Sequence, residues 1–371
     1  MVLEKIELRN YRLHLDTKTN FSKHLNYIVG GNGQGKTSLL EAIYYLCTSK
    51  NLNQAKDFEV TSFNESYFNI IGNFCDLTNN KVRVYYSNVE NKKSISVDDK
   101  LISRASNLIG KFPVVTLIPA NHTVTQGAPA DRRKFFDSVI SQSSSTYLKI
   151  LLDYNRTLKQ RSSLLNQLKE NKSQNLLDEL SVWTESLVNQ GTEIIEHRIR
   201  FLNLFKNFIQ DSYKRIMNNS EIPSIEYLYL NQSDASNIKE LFITELAKNR
   251  DLELIRGKNL IGPHRDEFVF KINEKELKKY GSQGQHKTFL IALRFGEFFF
   301  LKNIIGRTPI FLMDDIFGEL DGHRANKISE YMKEIGQAFI TLTDLSNFDY
   351  LSKNEEDLVL NIHNGQTANA W

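Results

Sequence analysis

Gly30-Gly31-Asn32-Gly33-Gln34-Gly35-Lys36-Thr37 follows a short run, Asn26 to Val29, that reads as a strand. It precedes a stretch in which Leu39, Leu40, Ile43, Leu46 and Cys47 recur at helical spacing. The segment satisfies G-x-x-x-x-G-K-[ST] in the strand, loop and helix setting that the pattern requires. Glycines let the backbone curl so that its N–H groups point at phosphate oxygens, and the positive end of the following helix adds to the same place. In this setting Lys36 is expected to bridge the β- and γ-phosphates of ATP, and Thr37 to ligate Mg²⁺. The bland alternative, a glycine-rich turn with a stray lysine, is disfavoured by the correct flanks.

Further along, Pro309-Ile310-Phe311-Leu312-Met313-Asp314-Asp315 reads as a buried parallel strand ending in two carboxylates. Alone this pattern is weak, and a solvated strand end explains it as well. Next to a phosphate loop it places Asp314 toward Mg²⁺ and makes Asp315 the group that orients the attacking water. Thirty-two residues before Asp314, Ser282-Gln283-Gly284-Gln285 matches S-x-G-Q and opens another helix-like stretch. As a lone tetrapeptide it means a helix cap with Ser282 at the N-cap. In an ABC ATPase the same serine, with Gly284 and Gln285, meets the γ-phosphate held by an opposite protomer, and the two roles are compatible. Gly318-Glu319-Leu320-Asp321 resembles the D-loop that couples two facing sites. Four elements in this order predict an α/β fold: an ABC-type P-loop ATPase head with an inserted, mainly helical second lobe.

The rest of the chain supports that division. With 371 residues, 40% hydrophobic and 25% charged, there is enough chain for about two domains and enough apolar content for a sizeable core. Short β-branched and aromatic runs from Tyr67 to Ile102 predict a meander. Between Pro129 and Pro223 there is no proline and one glycine, Gly191, while apolar residues recur at helical spacing through Tyr147 to Leu168 and Leu176 to Ile216. We expect the head in two parts, 1–120 and 246–371, around a helical lobe at 121–245. The opening residues alternate apolar and charged, which reads as a strand and not as a signal peptide, and no stretch approaches a membrane span. Cys47 and Cys75 suit buried thiols in a reducing cytosol. No His, Cys and carboxylate cluster suggests zinc.

With these motifs in hand, the chain resembles the RecF family of DNA replication and repair ATPases, related to the SMC-type chromosome proteins. Further segments carry the likeness: Arg9-Asn10-Tyr11-Arg12, Leu40-Glu41-Ala42-Ile43, Leu158 to Arg161, Gly262-Pro263-His264-Arg265-Asp266 and, most specifically, Gln126 to Asp137 with Arg132-Arg133-Lys134. The resemblance implies ATP-dependent homodimerisation, binding to single-stranded, gapped or junction DNA, work with RecO and RecR in loading recombinase, and a part in the SOS response. One departure from the family stands out: Pro119 is followed by Ala120 and Asn121 where acidic residues are usual. Thr341-Leu342-Thr343-Asp344 stands where transporters carry a histidine, as RecF-like sequences lead one to expect. Asp315, one methylene shorter than the glutamate of fast ABC motors, implies slow, weak ATP hydrolysis, and the resemblance implies that this hydrolysis serves as a switch stimulated by DNA.

A net charge of +3 does not announce a nucleic-acid binder, but Arg132 to Lys172 holds nine basic residues against three acidic ones. The functional reading is phosphate contact, with Arg132, Arg133 and Lys134 as candidates. A solvated helical face balanced by acids elsewhere is the simpler reading when the resemblance is left aside. His264 and Arg265 read as turn fillers or as an interface-facing pair, and Arg12 as a phosphate contact or a strand-end arginine. Of the competing classes, a transporter motor conflicts with the 246 residues between Lys36 and Ser282, and an SMC-like structural protein with the shortness of the helical lobe. An ATP-binding scaffold or SMC-like ATPase without a role in DNA repair remains the alternative.

Overall fold

The computed structural model describes residues 1–171, 173–217, 221–230, 232, 237–319, 322–343 and 354–369. In chain order, β1 (Val2–Tyr11), β2 (His14–Asn20) and β3 (Leu25–Val29) precede α1 (Lys36–Thr48), and β4 (Tyr67–Cys75), β5 (Asn79–Ser87), β6 (Lys92–Val97), β7 (Lys100–Leu101) and β8 (Val114–Leu117) follow. Next come α2 (His122–Gln126), α3 (Pro129–Ser143), α4 (Ser145–Glu170), α5 (Gln174–Met217), β9 (Pro223–Leu228) and α6 (Ile238–Arg256). Then come β10 (Glu267–Ile272), β11 (Lys275–Glu276), α7 (Leu277–Tyr280) and α8 (Gln283–Ile305). After them are β12 (Ile310–Asp314), α9 (Gly322–Met332), β13 (Ala338–Leu342), β14 (Leu358–His363) and β15 (Gln366–Asn369).

These elements form two compact units. The first comprises Met1–Asn121, Lys214–Asn218 and Ile291–Trp371; the second comprises His122–Tyr213 and Asn219–Leu290. The division at 120/121 agrees to one residue with the changeover at 121/122, but the expected return to the head at 246 is displaced to 291. The reason is strand pairing: β10 runs antiparallel to β9, with Phe268 opposite Tyr227 and Phe270 opposite Ile225, so 267–272 is held in the second unit. A short piece of α5 returns to the first unit, where the Arg215 guanidinium pairs with Glu334 and lies 4.9 Å from the Tyr331 ring centroid.

The first unit is two sheets with a helix between them. One sheet has the order β15-β14-β3-β13-β12-β8, parallel from β14 to β8. Ile310 to Met313 on β12 are fully buried, as the uninterrupted apolar run predicted for a strand covered on both faces. The other sheet, β2-β1-β4-β5-β6-β7, is antiparallel and contains the expected meander. Helix α1 packs against β1, β4 and β5 on one side and against β12 and β13 on the other. That is why Leu39, Leu40, Ile43, Tyr45 and Leu46 are all at 0% exposure; burying each such side chain stabilises by about 1.5–3 kcal/mol. Gly72 permits this approach, because a Cβ there would come within 2.4 Å of the Leu46 side chain. Cys47 is buried and Cys75 half-buried, both as free thiols.

In the second unit, Arg161 on α4 reaches Glu253 on α6 at 2.6 Å and Thr184 on α5 at 2.9 Å. Gly191 on α5 lets Phe242 of α6 lie where a Cβ would be only 2.4 Å away. Arg198 is fully buried between Asp137, Asp266, Tyr147, Tyr227 and the Pro263 carbonyl. Burial pushes Asp266 up to about 6, against the opposing pull of Arg198. Among the described residues no helix is long and apolar enough to cross a membrane.

Candidate functional site

The loop leaving β3 is shaped by glycine. Gly33 and Gly35 take left-handed backbone angles, φ +74° and +108°, and a Cβ on Gly30 would lie 2.4 Å from the Ile362 carbonyl oxygen. Helix α1 then starts at Lys36 with Gly35 as N-cap, no side-chain cap and no acidic residue in its first turn. Its leading N–H groups and its positive dipole end therefore face the loop uncompensated, which is the arrangement that binds anions. Lys36 lies at the centre, its Nζ donating to the carbonyls of Gly30 (2.6 Å) and Gly31 (2.8 Å). Burial lowers the Lys36 pKa, while Asp315 and Asp314 act to raise it.

Across from the loop, the Thr37 hydroxyl lies 3.0 Å from both carboxylate oxygens of Asp314. Thr341 at the end of β13 donates to Asp314 Oδ1 at 2.6 Å and accepts from the Asp315 backbone N–H at 2.9 Å. Asp315 itself has φ +49°, a left-handed conformation that aspartate tolerates better than most residues, and its side chain is exposed. A cleft of about 340 Å³ separates these groups, lined by Gly33, Lys36 and Thr37 on one side, Asp314 and Asp315 on the other, with Leu13 and Pro119 supplying apolar surface. Hard oxygen donors, one hydroxyl and one carboxylate, suit Mg²⁺, which keeps several of its waters and needs few protein ligands. Pro119-Ala120-Asn121 forms a tight turn after β8, closed by the Ile118 N–H donating to Asn121 Oδ1 at 3.1 Å.

Sequence reading missed the device that holds the loop in place. The hairpin turn between β14 and β15 grips Gln34: the Gly365 N–H donates to the Gln34 carbonyl at 2.9 Å and the Asn364 N–H to its side-chain oxygen at 2.7 Å. His14, at 0% exposure, lies with Nε2 3.1 Å from the Gly35 carbonyl and Nδ1 2.8 Å from the Gly365 carbonyl. Burial lowers the His14 pKa, and a neutral imidazole has one N–H to give, so the Thr17 hydroxyl makes up the bond to Gly365 O at 2.7 Å. No local signal marks His14, which occupies an ordinary position in a strand of alternating burial.

In the second unit, Ser282 precedes α8 and forms a reciprocal cap with Gln285. The Gln285 N–H donates to Ser282 Oγ at 3.2 Å, and the Ser282 N–H to Gln285 Oε1 at 2.8 Å. Ser282 is exposed, and Gln285 also donates to Glu221 at 2.7 Å. In the first unit, Phe317–Glu319 forms a 3₁₀ turn just past the paired aspartates; Leu320, Asp321 and Asp344 lie outside the described residues.

Comparison with known proteins places the chain. A family model described as the RecF/RecN/SMC N-terminal domain matches residues 2–356. The DNA replication and repair protein RecF of Chloroherpeton thalassium is 37% identical over 357 residues, 94% of this chain and 96% of its own length. That of Salinibacter ruber is 33% identical over 356 residues, covering 94% and 86%.

The chain belongs to the RecF family.

A solved structure of the recombination mediator protein RecF with ATP, in the RecFOR pathway, superposes with a TM-score of 0.90 at 30% identity, covering 100% of this chain and 97% of its own. An Smc head domain from Pyrococcus furiosus bound to the C-terminal domain of ScpA shares the fold at TM-score 0.56 and 14% identity, covering 99% and 95%. The fold is thus the ABC-ATPase head of RecF and SMC proteins, carrying a long helical insertion.

In this RecF-family chain several expected surface contacts turn out to be internal. Arg132 is 5% exposed and forks onto Glu267 at 2.8 and 3.0 Å, with a further bond to the Gly127 carbonyl. Arg133 donates to the Asp266 carbonyl at 2.6 Å. The Arg132 guanidinium, committed in this way, holds α3 against β10 and is not displayed to a phosphate, while Arg133 is half-buried with one N–H engaged. Of the three candidates only Lys134 is exposed. His264 bonds Tyr154 at 2.7 Å, and burial lowers its pKa to about 4. Arg265 bonds the Asn259 carbonyl, so both serve the turn. Arg12 stands just past the end of β1, partly exposed, and pairs with Glu41 of α1 at 3.1 Å, which brings the β1–β2 turn onto that helix.

Proposed function

We propose that this chain is an ATP-dependent DNA-binding protein of recombinational repair and replication that acts through pairing of two ATPase heads. The observation that carries the reading is the uncapped, acid-free N-terminus of α1, with Lys36 at its centre and the Thr37–Asp314 oxygen pair across the cleft. ATP binds with its phosphates over Gly30 to Thr37. Lys36 exchanges its bonds to the two glycine carbonyls for β- and γ-phosphate oxygens. Thr37 and Asp314 would hold Mg²⁺, directly or through water, and the ion would supply charge neutralisation. Asp315 orients the water that attacks the γ-phosphate. A carboxylate with this short reach suits slow hydrolysis that times release, and DNA stimulates it. Ser282, Gly284 and Gln285 of a second copy complete the site. In the cap, Ser282 Oγ accepts a bond, so its own O–H is still directed by whatever acceptor approaches. The substrate is DNA at gaps, junctions or single strands, the partners are RecO and RecR, and the work is done in the cytoplasm, supporting recombinase loading and the SOS response.

The test is sedimentation with and without ATP on three proteins: wild type, Lys36→Ala and Ser282→Arg. Wild type associates with ATP; Lys36→Ala loses nucleotide binding; Ser282→Arg binds nucleotide as a monomer but does not pair. An equimolar mixture of the two variants regains partial association, because one composite site has both parts intact. Loss of nucleotide binding by Ser282→Arg alone would refute the two-headed reading.

A further inference from the structure

Away from the nucleotide cleft, the second unit carries a cavity of about 650 Å³ walled by Lys169, Arg256, Lys258 and Arg265, with Ile255 and Leu260 as its apolar surface. No aspartate or glutamate lines it. Lys169, Arg256 and Lys258 are exposed and form no ion pair among the described residues. Glu253, a buried carboxylate of the same helix as Arg256, is already spent: Oε2 is bonded to Arg161 at 2.6 Å and Oε1 accepts the Leu260 N–H at 2.7 Å. Cations in the last turn of a helix are favoured by its dipole, which accounts for Lys169 and Arg256. It does not account for Lys258 and Arg265, which lie beyond α6 on a turn.

That turn is fixed. Gly257 caps α6 with φ +65°, its N–H donating to the Glu253 carbonyl at 2.8 Å. Asn259 is 5% exposed and donates to the Leu158 carbonyl and to Ser162 Oγ on α4, at 3.0 and 2.6 Å. The Arg265 guanidinium is braced on the Asn259 carbonyl through one N–H, at 3.1 Å. Four like charges are therefore displayed around one hollow by a braced turn and two helix ends, so binding an anion there requires little ordering of side chains. The same sign continues along α4, where Lys149, Arg156 and Lys159 are exposed and lie within about 80° of one another around the helix. From Lys149 to Lys169 is about 30 Å of helix, over which the basic positions wind through about 160°, so they form a turning band that ends at the cavity.

We propose that this cleft, with the adjoining face of α4, grips the phosphodiester backbone of DNA, in place of the Arg132–Arg133 contact suggested by the sequence. A basic surface this long fits a polyanion better than a free phosphate. The exposed Ile255 at the rim suits the sugar edge of a nucleic acid. The inference rests on the DNA-binding function proposed above and names where the second unit meets that DNA.

The experiment compares wild type with the triple variant Lys169→Gln, Arg256→Gln, Lys258→Gln, titrating labelled duplex and single-stranded DNA at about 50 and 200 mM salt. Each lost phosphate contact removes about 0.9 from the salt slope, so the wild-type advantage for duplex shrinks about 40-fold between those salts if all three touch phosphate. Binding of ATP is unchanged in the variant, and Lys169→Arg, Arg256→Lys, Lys258→Arg restores DNA binding. If the triple variant does not fold, Arg256→Gln alone gives the smaller slope change of about 0.9. Wild type that binds DNA with the same affinity and slope as the variant overturns the cleft assignment and leaves the DNA-binding function standing. Wild type that binds no DNA at either salt overturns the function itself. A variant that keeps DNA but loses polyglutamate binding assigns the cleft to an acidic protein and likewise overturns the inference.

Discussion

Replacing Gly365 with alanine tests whether the hairpin between β14 and β15 sets the geometry of the phosphate loop. Gly365 has φ +74°, and its Cβ would fall 2.1 Å from the Leu13 carbonyl oxygen. Left-handed backbone costs an L-residue about 1–2 kcal/mol, and relief of the contact requires the turn to move by on the order of 1 Å, given ordinary van der Waals separations. Such a shift stretches two bonds beyond hydrogen-bonding range: Gly365 N–H to Gln34 O (2.9 Å) and Thr17 Oγ1 to Gly365 O (2.7 Å). At about 1 kcal/mol each they bring the total to roughly 3–4 kcal/mol as an upper bound. Part of this appears as lower melting temperature. The part that loosens Gln34 and Gly35 must be regained when ATP orders the loop, and about 1.4–2.8 kcal/mol of it weakens nucleotide binding about 10- to 100-fold. The assay is titration with a fluorescent ATP analogue alongside thermal unfolding. Asn364→Ala serves as the control, because its N–H still reaches Gln34 and only a φ of +49° is strained. If Gly365→Ala melts earlier but binds nucleotide within about twofold of wild type, well under 1 kcal/mol, the hairpin stabilises the sheet without shaping the site.

Three further outcomes are expected. Arg198→Met strands Asp137 and Asp266 without their buried cation and lowers the unfolding free energy by about 3–5 kcal/mol in urea titration; a loss under about 1 kcal/mol would show the carboxylates to be rehydrated. His264, held down to about 4 by burial, binds its proton less readily folded than unfolded, so stability is full above about 6.5 and is lost as pH falls toward 4, by about 2 kcal/mol at pH 5. Asp266 acts with the opposite sign, so the difference between wild type and His264→Gln, followed by thermal unfolding from pH 7 to 5, isolates the histidine. Asp314→Asn keeps the Thr341 bond but removes the charge facing Thr37; it should fold normally and need at least about tenfold more Mg²⁺ for ATP-driven association, a shift of about 1.4 kcal/mol, whereas an unchanged Mg²⁺ requirement would take Asp314 out of the metal site.

The parts of the fold that were legible are those whose determinants are neighbours in the chain. The phosphate loop needs its glycines, lysine and threonine within eight residues, and β12 needs only an unbroken apolar run ending in aspartate. The same locality explains the meander and the two long helices of the second unit, which run as Ser145–Glu170 and Gln174–Met217. Where sequence failed, the missing partner is far away. His14 meets Gly365 across 351 positions, and the pairing of β9 with β10 that moves the boundary to 291 joins segments separated by α6. Nothing within a window around either residue carries that information.

Charge shows the limit most sharply. Counting Arg132 to Lys172 treats every basic residue as equal, yet Arg132 is neutralised by Glu267, 135 residues on, and Arg161 by Glu253, 92 residues on. These two arginines contribute to folding because they are paired and enclosed, whereas Lys134, Lys149, Arg156, Lys159 and Lys169 keep their charge at the surface. The basic excess therefore divides into paired, enclosed arginines and exposed cations, a division the count itself does not make. An arginine in a specific local motif is a good candidate for a buried fork, since its planar guanidinium rewards fixed geometry. A solvated lysine or arginine with no motif around it stays available to a polyanion, whose recognition through counterion release depends on how many charges are displayed and hardly on their order in the sequence. The DNA contact proposed for this chain thus rests on residues with no sequence signature, while the segment carrying the strongest family signature holds the second unit together.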